Sequence, residues 1–204
     1  MTEAQLNRKL KKIKRFKKAL REERKRIGGL HDGGGLRYAI AELYFEIGNY
    51  SKTNLYLNWF YKNFPDDATF SYFQLGAAVT YFKVKKRNLA IRELVALNTG
   101  NLYIVGLLLK RTVVDHEKYE WNEYETLAWA KGNLAVLETL PTPDFLEWLD
   151  TIYEHEVYRK YESKFLSIMK LCKGLDVSDE RNKLFKAKYK CVGDWETKLV
   201  RVVD

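Results

Sequence analysis

The stretch from Leu36 to Pro65 constrains the fold of this chain more than any other. Residues 36–47 place their apolar side chains on one broad helical face, and Gly48-Asn49 then stops that helix. A second run, ending at Phe64, continues with helical rather than alternating period. Neither helix of such a hairpin buries its apolar face unaided, so the unit requires stacked neighbours. The stretch predicts an all-α fold, and the presence of only three prolines agrees with long helices.

This hairpin resembles the tetratricopeptide repeat (TPR), a two-helix unit that stacks into a solenoid. Ile40-Ala41 stands at the family's leucine and small-residue pair, and Tyr44 stands at the aromatic position of its first helix. Gly48-Asn49-Tyr50 matches its turn, and Pro65 matches its terminal proline. Thr53 and Phe60 replace small alanines of the family, which implies wider spacing between the two helices. The resemblance implies a TPR-like antiparallel helix-hairpin solenoid.

Two units that match the repeat less well follow the first hairpin. A second unit has Leu75-Gly76 at the leucine and small-residue pair and a longer turn at residues 84–88. A third, degenerate unit begins at Asn101, and an amphipathic helix is predicted from about Tyr119 to Glu138. The order of segments over roughly residues 30 to 150 also resembles a group of bacterial TPR-like proteins of unassigned activity. That resemblance implies no catalytic residue.

The C-terminal part predicts a long helix and a small appendage. Thr142-Pro143-Asp144 is a start signal for a helix that runs to about Leu171 and suits the cap of a solenoid. Beyond it, the residues around Gly193-Asp194 alternate as in a small β-hairpin, although the first strand could instead extend a helix that begins near Ser178. The chain thus divides into a basic amphipathic helix (1–27), a glycine-rich hinge (28–35), a TPR-like domain (36–171) and an appendage (172–204).

The N-terminal helix carries all of the net charge of +9. Residues 1–27 hold twelve Lys/Arg and three acids, whereas the rest of the chain holds 24 of each. Lys17 and Arg24 interrupt the apolar seam of this helix. Three interpretations are open: a solvated helix whose Leu/Ile edge packs on the body, a helix that binds a polyanion or acidic protein, and a membrane-surface helix. The candidate polyanion-binding residues are Arg8, Lys11, Lys12, Lys14, Arg15, Lys18, Arg21 and Lys25.

Aromatic side chains on the first helix of each hairpin predict a partner-binding groove. If the hairpins stack as TPR units do, these helices line a concave surface, where aromatic rings offer large contact area at low entropic cost. The alternative is that the same rings pack between helices. Tyr38 and Glu42 stand where the family's clamp for a C-terminal carboxylate has other residues, so recognition of chaperone tails is not expected. The predicted groove residues are Tyr38, Glu42, Phe45, Phe73 and Tyr81.

No pattern in the sequence points to catalysis, a metal or a cofactor. His31, His116 and His155 lack the spacing that puts two ligands on one helix face, and residues 28–35 lack a phosphate-loop signature. The two cysteines are too few for a disulfide framework, which favours a cytoplasmic protein. The longest apolar stretch falls far short of the roughly 20 residues that a membrane span requires.

The sequence therefore predicts a non-enzymatic protein–protein interaction module. In this interpretation the groove binds a segment of another protein, and the basic helix steers the partner electrostatically. One alternative is nucleic-acid binding through residues 8–26, which would contact an RNA or DNA backbone. Another is an antitoxin or immunity-type chain that inhibits a second protein. The sequence does not indicate an oligomeric state.

Overall fold

The computed structural model of the protein describes residues 1–29, 32–67, 69–116, 122–173, 175 and 178–203. These residues form α-helices and one short 3-10 helix at Glu123–Glu125, without a strand among them. The all-α prediction is confirmed. The helices are α1 (Glu3–Ile27), α2 (Leu36–Ile47), α3 (Tyr50–Asn63), α4 (Ser71–Lys83), α5 (Arg87–Gly100), α6 (Ile104–Leu108), α7 (Leu127–Leu137), α8 (Pro143–Glu154), α9 (Glu156–Lys173) and α10 (Asp179–Val203).

Helix α4 lies at the centre of the array. It packs against α2, α3, α5 and α8, and eleven of its 13 residues are buried. Helix α1 packs on α2, whereas α10 packs on α5 and α9. Helix α1 is therefore joined to α4 through α2, and the α9–α10 pair is joined to α4 through α5.

The basic helix α1 has well-formed ends. Thr2 and Gln5 form a capping box, in which the Gln5 amide donates to Thr2 Oγ1 and the Thr2 amide donates to Gln5 Oε1. At the other end Gly28 has φ 72°, and its amide donates to the Arg24 carbonyl. Capping at both ends explains why residues 3–27 form one continuous helix.

The glycine-rich segment is tied to the body by Asp32. The carboxylate of this buried residue accepts hydrogen bonds from the amides of Leu36 (2.9 Å) and Arg37 (2.7 Å), so it caps α2. The Arg37 guanidinium contacts Asp32 and also donates to Asp67 Oδ2 at 2.7 Å. Leu30 and His31 of the predicted hinge lie outside the described residues.

The long terminal helix predicted from residue 142 to about Leu171 is interrupted. Helix α8 ends at Glu154, and His155 has extended backbone with φ −67° and ψ 135°. His155 Nδ1 then accepts a hydrogen bond from the Val157 amide at 3.1 Å, which caps the start of α9. The prediction of one continuous helix was wrong because a local side-chain cap redirects the chain at His155.

The helix predicted from about Tyr119 starts later than expected. Asn122 caps the 3-10 helix at Glu123–Glu125, and Thr126 caps α7 by accepting from the Trp129 amide at 3.1 Å. These two successive caps divide the segment, so α7 begins only at Leu127. The predicted start itself lies outside the described residues.

The predicted C-terminal β-hairpin is wrong, because α10 runs through Gly193-Asp194. Cys191, Trp195 and Leu199 are fully buried at spacings of four residues, which is a helical seam. A Cβ added at Gly193 would meet no atom within 4 Å, so this glycine marks no tight turn. The alternative of a helix beginning near Ser178 is the one that the structure shows, and Ser178 Oγ accepts from the Arg181 amide.

Candidate partner-binding cleft

Three of the five predicted groove residues lie in the core. Phe73, Tyr81 and Phe45 have exposed fractions of 0%, 2% and 9%. The Phe45 ring packs so closely on Gly76 that an added Cβ there would lie 2.6 Å from Phe45 Cγ. In this structure these rings pack between helices, which is the alternative to a groove, and they offer a partner no open surface.

The other two predicted groove residues, Tyr38 and Glu42, are half-buried, and Tyr38 has structural contacts. The Tyr38 hydroxyl donates to Asp67 Oδ1, and its ring meets Phe70 edge-on at a centroid distance of 5.3 Å. Although burial opposes it, hydrogen bonding from Arg37 and Tyr38 holds the pKa of Asp67 below its ordinary value. Burial raises the pKa of the Glu42 carboxyl. Tyr38 thus joins the start of α2 to the turn that precedes α4.

Helix α8 packs against the C-terminal end of α4. Phe82 of α4 packs against Phe145 of α8 at a ring-centroid distance of 5.4 Å and against Trp148 at 4.9 Å. The Lys83 ammonium pairs with Asp144 at 2.7 Å across the same contact. The predicted groove residues Phe45 and Phe73 are buried instead by the packing of α2, α3 and α4, where the Phe73 ring centroid lies 5.8 Å from that of Phe45 and 4.6 Å from that of Phe60.

Helix α1 docks on α2 through the apolar seam that the sequence indicated. Ile13 and Leu20 are each 3% exposed. Between them Lys17 Nζ donates to the Tyr44 hydroxyl at 3.0 Å and lies over the rings of Tyr44 and Tyr56, 5.0 and 5.4 Å from their centroids. The interpretation in which the Leu/Ile edge of α1 packs on the body is confirmed, and Lys17 belongs to the packed edge.

A cleft of about 470 Å³ lies between α1 and α3. Its floor is aromatic, with Tyr44, Tyr56 and a half-buried Trp59 whose ring centroid lies 5.3 Å from that of Tyr56. Leu55, 68% exposed, adds an apolar edge. The lining residues are Lys14, Lys17, Leu20, Arg21, Arg24, Tyr44, Lys52, Leu55, Tyr56 and Trp59.

One wall of the cleft is cationic. Lys14, Lys17, Arg21 and Arg24 follow each other along α1 at spacings of three, four and three residues, which places them in one row. Lys52 adds a positive charge from α3. No lining residue is acidic, and among the described residues no carboxylate forms an ion pair with Lys14, Arg21, Arg24 or Lys52. The cleft therefore combines an apolar floor with unneutralised positive charge.

The outer face of α1 is also cationic. All eight predicted polyanion-binding residues are exposed, so the docking of α1 on α2 does not bury them. Lys14 and Arg21 belong to the cleft as well. Within the part of the chain that the structure describes, the only ion pair of the eight is the exposed one between Lys18 and Glu22, at 3.6 Å. Exposed pairs at this spacing stabilise a helix little, so most of this charge is available to a ligand.

The described residues offer no metal centre. They contain no group of three or more His, Cys, Asp or Glu side chains placed to hold an ion. His155 caps α9, and Cys172 and Cys191 are buried thiols whose pKa values are raised by burial. Among the same residues no helix is long and apolar enough to cross a bilayer.

Sequence reasoning missed the aromatic side of the cleft. Tyr56, Trp59 and Lys52 were not predicted as site residues, because they line a cleft only once α1 lies across α3. One signal was present: Lys17 and Arg24 occupy seam positions where a buried helix edge would carry apolar residues. Charged residues in a seam indicate that the edge faces an aromatic or open surface.

The chain matches no protein-family model, no curated protein and no solved structure. The resemblance to the tetratricopeptide repeat thus rests on the residue matches in the sequence alone, such as Gly48-Asn49-Tyr50 and Pro65. The function of the chain is inferred from the shape and charge of the cleft.

Proposed function

We propose that this chain is a non-enzymatic protein–protein interaction module, built from TPR-like helix hairpins, that binds an acidic segment of a partner protein in the α1–α3 cleft. The observation that carries the proposal is the aromatic floor beside a row of cations without counter-charges. A partner with apolar anchors and carboxylates on neighbouring faces satisfies both features at once.

The aromatic floor would supply most of the binding free energy. Trp59 is half-buried beside Tyr56, so an apolar side chain seated there would be removed from water against rigid rings. Interfaces concentrate their energy in such anchors, which are enriched in Trp and Tyr. The exposed Leu55 would extend the apolar contact along α3.

The cationic wall would fix the orientation of the partner. Because most of the lining cations lie on α1 and only Lys52 lies on α3, an amphipathic helix would turn its acidic edge to α1 and its apolar edge to α3. The further cations on the outer face of α1 would raise the association rate at low salt. An antitoxin or immunity-type inhibitor of another protein would use the same contacts.

Synthetic peptides test this proposal directly. A fluorescein-labelled amphipathic helix with glutamates on one edge and Leu/Trp on the other should bind, and its lysine-substituted counterpart should not. Trp59→Ala and the Arg21→Glu/Arg24→Glu pair should each weaken binding by at least about tenfold in fluorescence anisotropy. The charge-matched pair Lys62→Glu/Lys131→Glu, exposed and outside the cleft, should bind as wild type. Equal binding of both peptides, or an unchanged affinity of Trp59→Ala, would contradict the proposal.

The exposed outer face of α1 favours nucleic-acid binding as a second candidate. Exposed Lys/Arg side chains neutralise phosphates, and binding that depends on them weakens steeply with salt. Replacing Lys11, Lys12, Arg15 and Lys18 by Gln should lower the slope of log K against log salt on duplex DNA by about 0.9 for each contact removed. Trp59→Ala should leave that slope unchanged, which separates this activity from the cleft. Duplex binding whose affinity and salt slope are unchanged by the four substitutions would exclude nucleic-acid binding through α1.

A further inference from the structure

Residues 28–204 carry no net charge as a whole, but their acidic and basic side chains are unevenly distributed along the sequence. Residues 28–157 hold 12 basic and 17 acidic side chains, whereas residues 158–204 hold 12 basic and seven acidic ones. Within the second part, residues 181–190 hold five bases and no acid. A second basic region therefore lies on α10, away from α1.

Three of these bases and one tyrosine share a face of α10. Lys183, Lys186 and Lys190 follow at spacings of three and four residues, and Tyr189 lies three residues after Lys186. All four are exposed, Tyr189 by 70%. This face points away from the seam of Cys191, Trp195 and Leu199, with which α10 packs on the body.

The three lysines form no ion pair in the part of the chain that the structure describes. Asp179 lies four residues before Lys183 and Asp194 four residues after Lys190, so the two acids flank the row, although neither forms an ion pair with a lysine of the row. Like charges at four-residue spacing, such as Lys186 and Lys190, disfavour the helix, and the exposed ring of Tyr189 gains nothing from water.

Single-stranded nucleic acid fits this surface better than an acidic peptide. The row extends over about 10 Å of helix axis, and it offers one flat aromatic ring instead of an apolar groove. A peptide would find little area to bury, whereas a nucleic-acid strand presents successive phosphates to the lysines and an unpaired base to the ring. A duplex keeps its bases stacked and would use the lysines alone.

We propose that α10 carries a binding site for single-stranded nucleic acid, in which Tyr189 stacks on a base and Lys183, Lys186 and Lys190 contact the backbone. The site is separate from the α1–α3 cleft and does not depend on the proposed partner protein.

A fluorescein-labelled oligodeoxythymidylate strand tests the site in the full chain. Tyr189→Ala should weaken its binding by at least about fivefold, because stacking on one ring is lost. Lys186→Gln/Lys190→Gln should lower the slope of log K against log salt by about 0.7 for each contact removed. The charge-matched control Lys62→Gln/Lys131→Gln should retain the wild-type slope, and thermal denaturation should show that all variants fold.

Photo-crosslinking separates this site from the cations of α1. An iodouracil-substituted strand should crosslink to Tyr189, as located by mass spectrometry, and duplex competitor should displace it poorly. Binding and salt slope that are unchanged in both α10 variants, or crosslinks confined to α1, would overturn the proposal. Equal affinity for duplex together with a neutral Tyr189→Ala would also overturn it, because the lysines would then bind charge without stacking.

Discussion

Lys17 Nζ donates to the Tyr44 hydroxyl at 3.0 Å and lies 5.4 Å from the centroid of the Tyr56 ring. A charged side chain in an otherwise apolar seam is thereby satisfied by one hydrogen bond and two aromatic faces. The same three residues line the cleft, so the contact that holds α1 in place also forms part of the candidate site.

Lys17→Ala should destabilise the protein by about 1 to 2 kcal/mol, because it removes a hydrogen bond and two cation–π contacts from a half-buried position. Denaturant unfolding followed by circular dichroism measures the change. Lys14→Ala, an exposed substitution on the same helix, is the control and should stay within about 0.5 kcal/mol of wild type. Equal effects of the two substitutions would show that Lys17 contributes only as a solvated charge.

Glu93 should make stability fall as pH rises from about 4.5 to 7. Burial raises the pKa of this carboxyl to about 7 from an ordinary 4.5, although Tyr61 and Arg92 oppose the shift. A raised pKa in the folded state stabilises the fold below about pH 4.5, and that stabilisation is lost through pH 7 as the buried group ionises.

Glu93→Gln isolates this effect. The variant should match wild type near pH 4.5 and be the more stable one at pH 8, by on the order of 3 kcal/mol. Urea unfolding at a series of pH values measures the difference, with the exposed substitution Glu138→Gln as the control. A stability difference that does not change with pH would mean that the pKa of Glu93 is the same in the folded and the unfolded protein.

Gly76→Ala should destabilise the protein by about 1 to 3 kcal/mol, even though alanine favours helices. The added methyl would lie 2.6 Å from Phe45 Cγ in the contact between α2 and α4. Gly132→Ala is the matched control, because a Cβ at that helical glycine meets no atom within 4 Å. It should stabilise the protein by about 0.5 to 1 kcal/mol. Thermal unfolding of both variants and of Gly76→Ala/Phe45→Leu, which should recover stability, checks the steric origin.

Asp32→Ala should cost about 2 kcal/mol, since it removes the cap of α2 and leaves Arg37 with one carboxylate instead of two. Asp66→Ala changes an exposed acid nearby and should have little effect. Chemical denaturation compares the two. Similar stability of both variants would mean that water replaces the Asp32 contacts without cost.

The sequence predicts the helices well where a start or stop signal coincides with helical period, as at Thr142-Pro143 and Gly48-Asn49. It fails at α10, because the alternating residues before Gly193 imitate a strand while Cys191 and Trp195 keep the four-residue seam of a helix. It also fails at His155, where one side-chain cap outweighs continuous helical propensity.

The candidate site was less predictable than the fold. Exposure of Phe45 and Phe73 depends on how α2, α3 and α4 pack together, and the Phe73 ring lies against both Phe45 and Phe60. The position of the cleft depends on how α1 crosses α2, which local periodicity does not encode. The charges of the site were predictable because α1 carries them on every face, and the docked helix leaves most of them exposed.

The docking of α1 through a narrow seam gives the cleft a mechanical consequence. A ligand that touches α1 and α3 together would add contacts between two helices that already meet where Lys17 lies over the Tyr56 ring. By linkage, its binding energy would oppose fraying of the N-terminal helix. Occupancy of the cleft would then be visible as slower amide hydrogen exchange along residues 3–27, far beyond the few residues that the ligand itself covers.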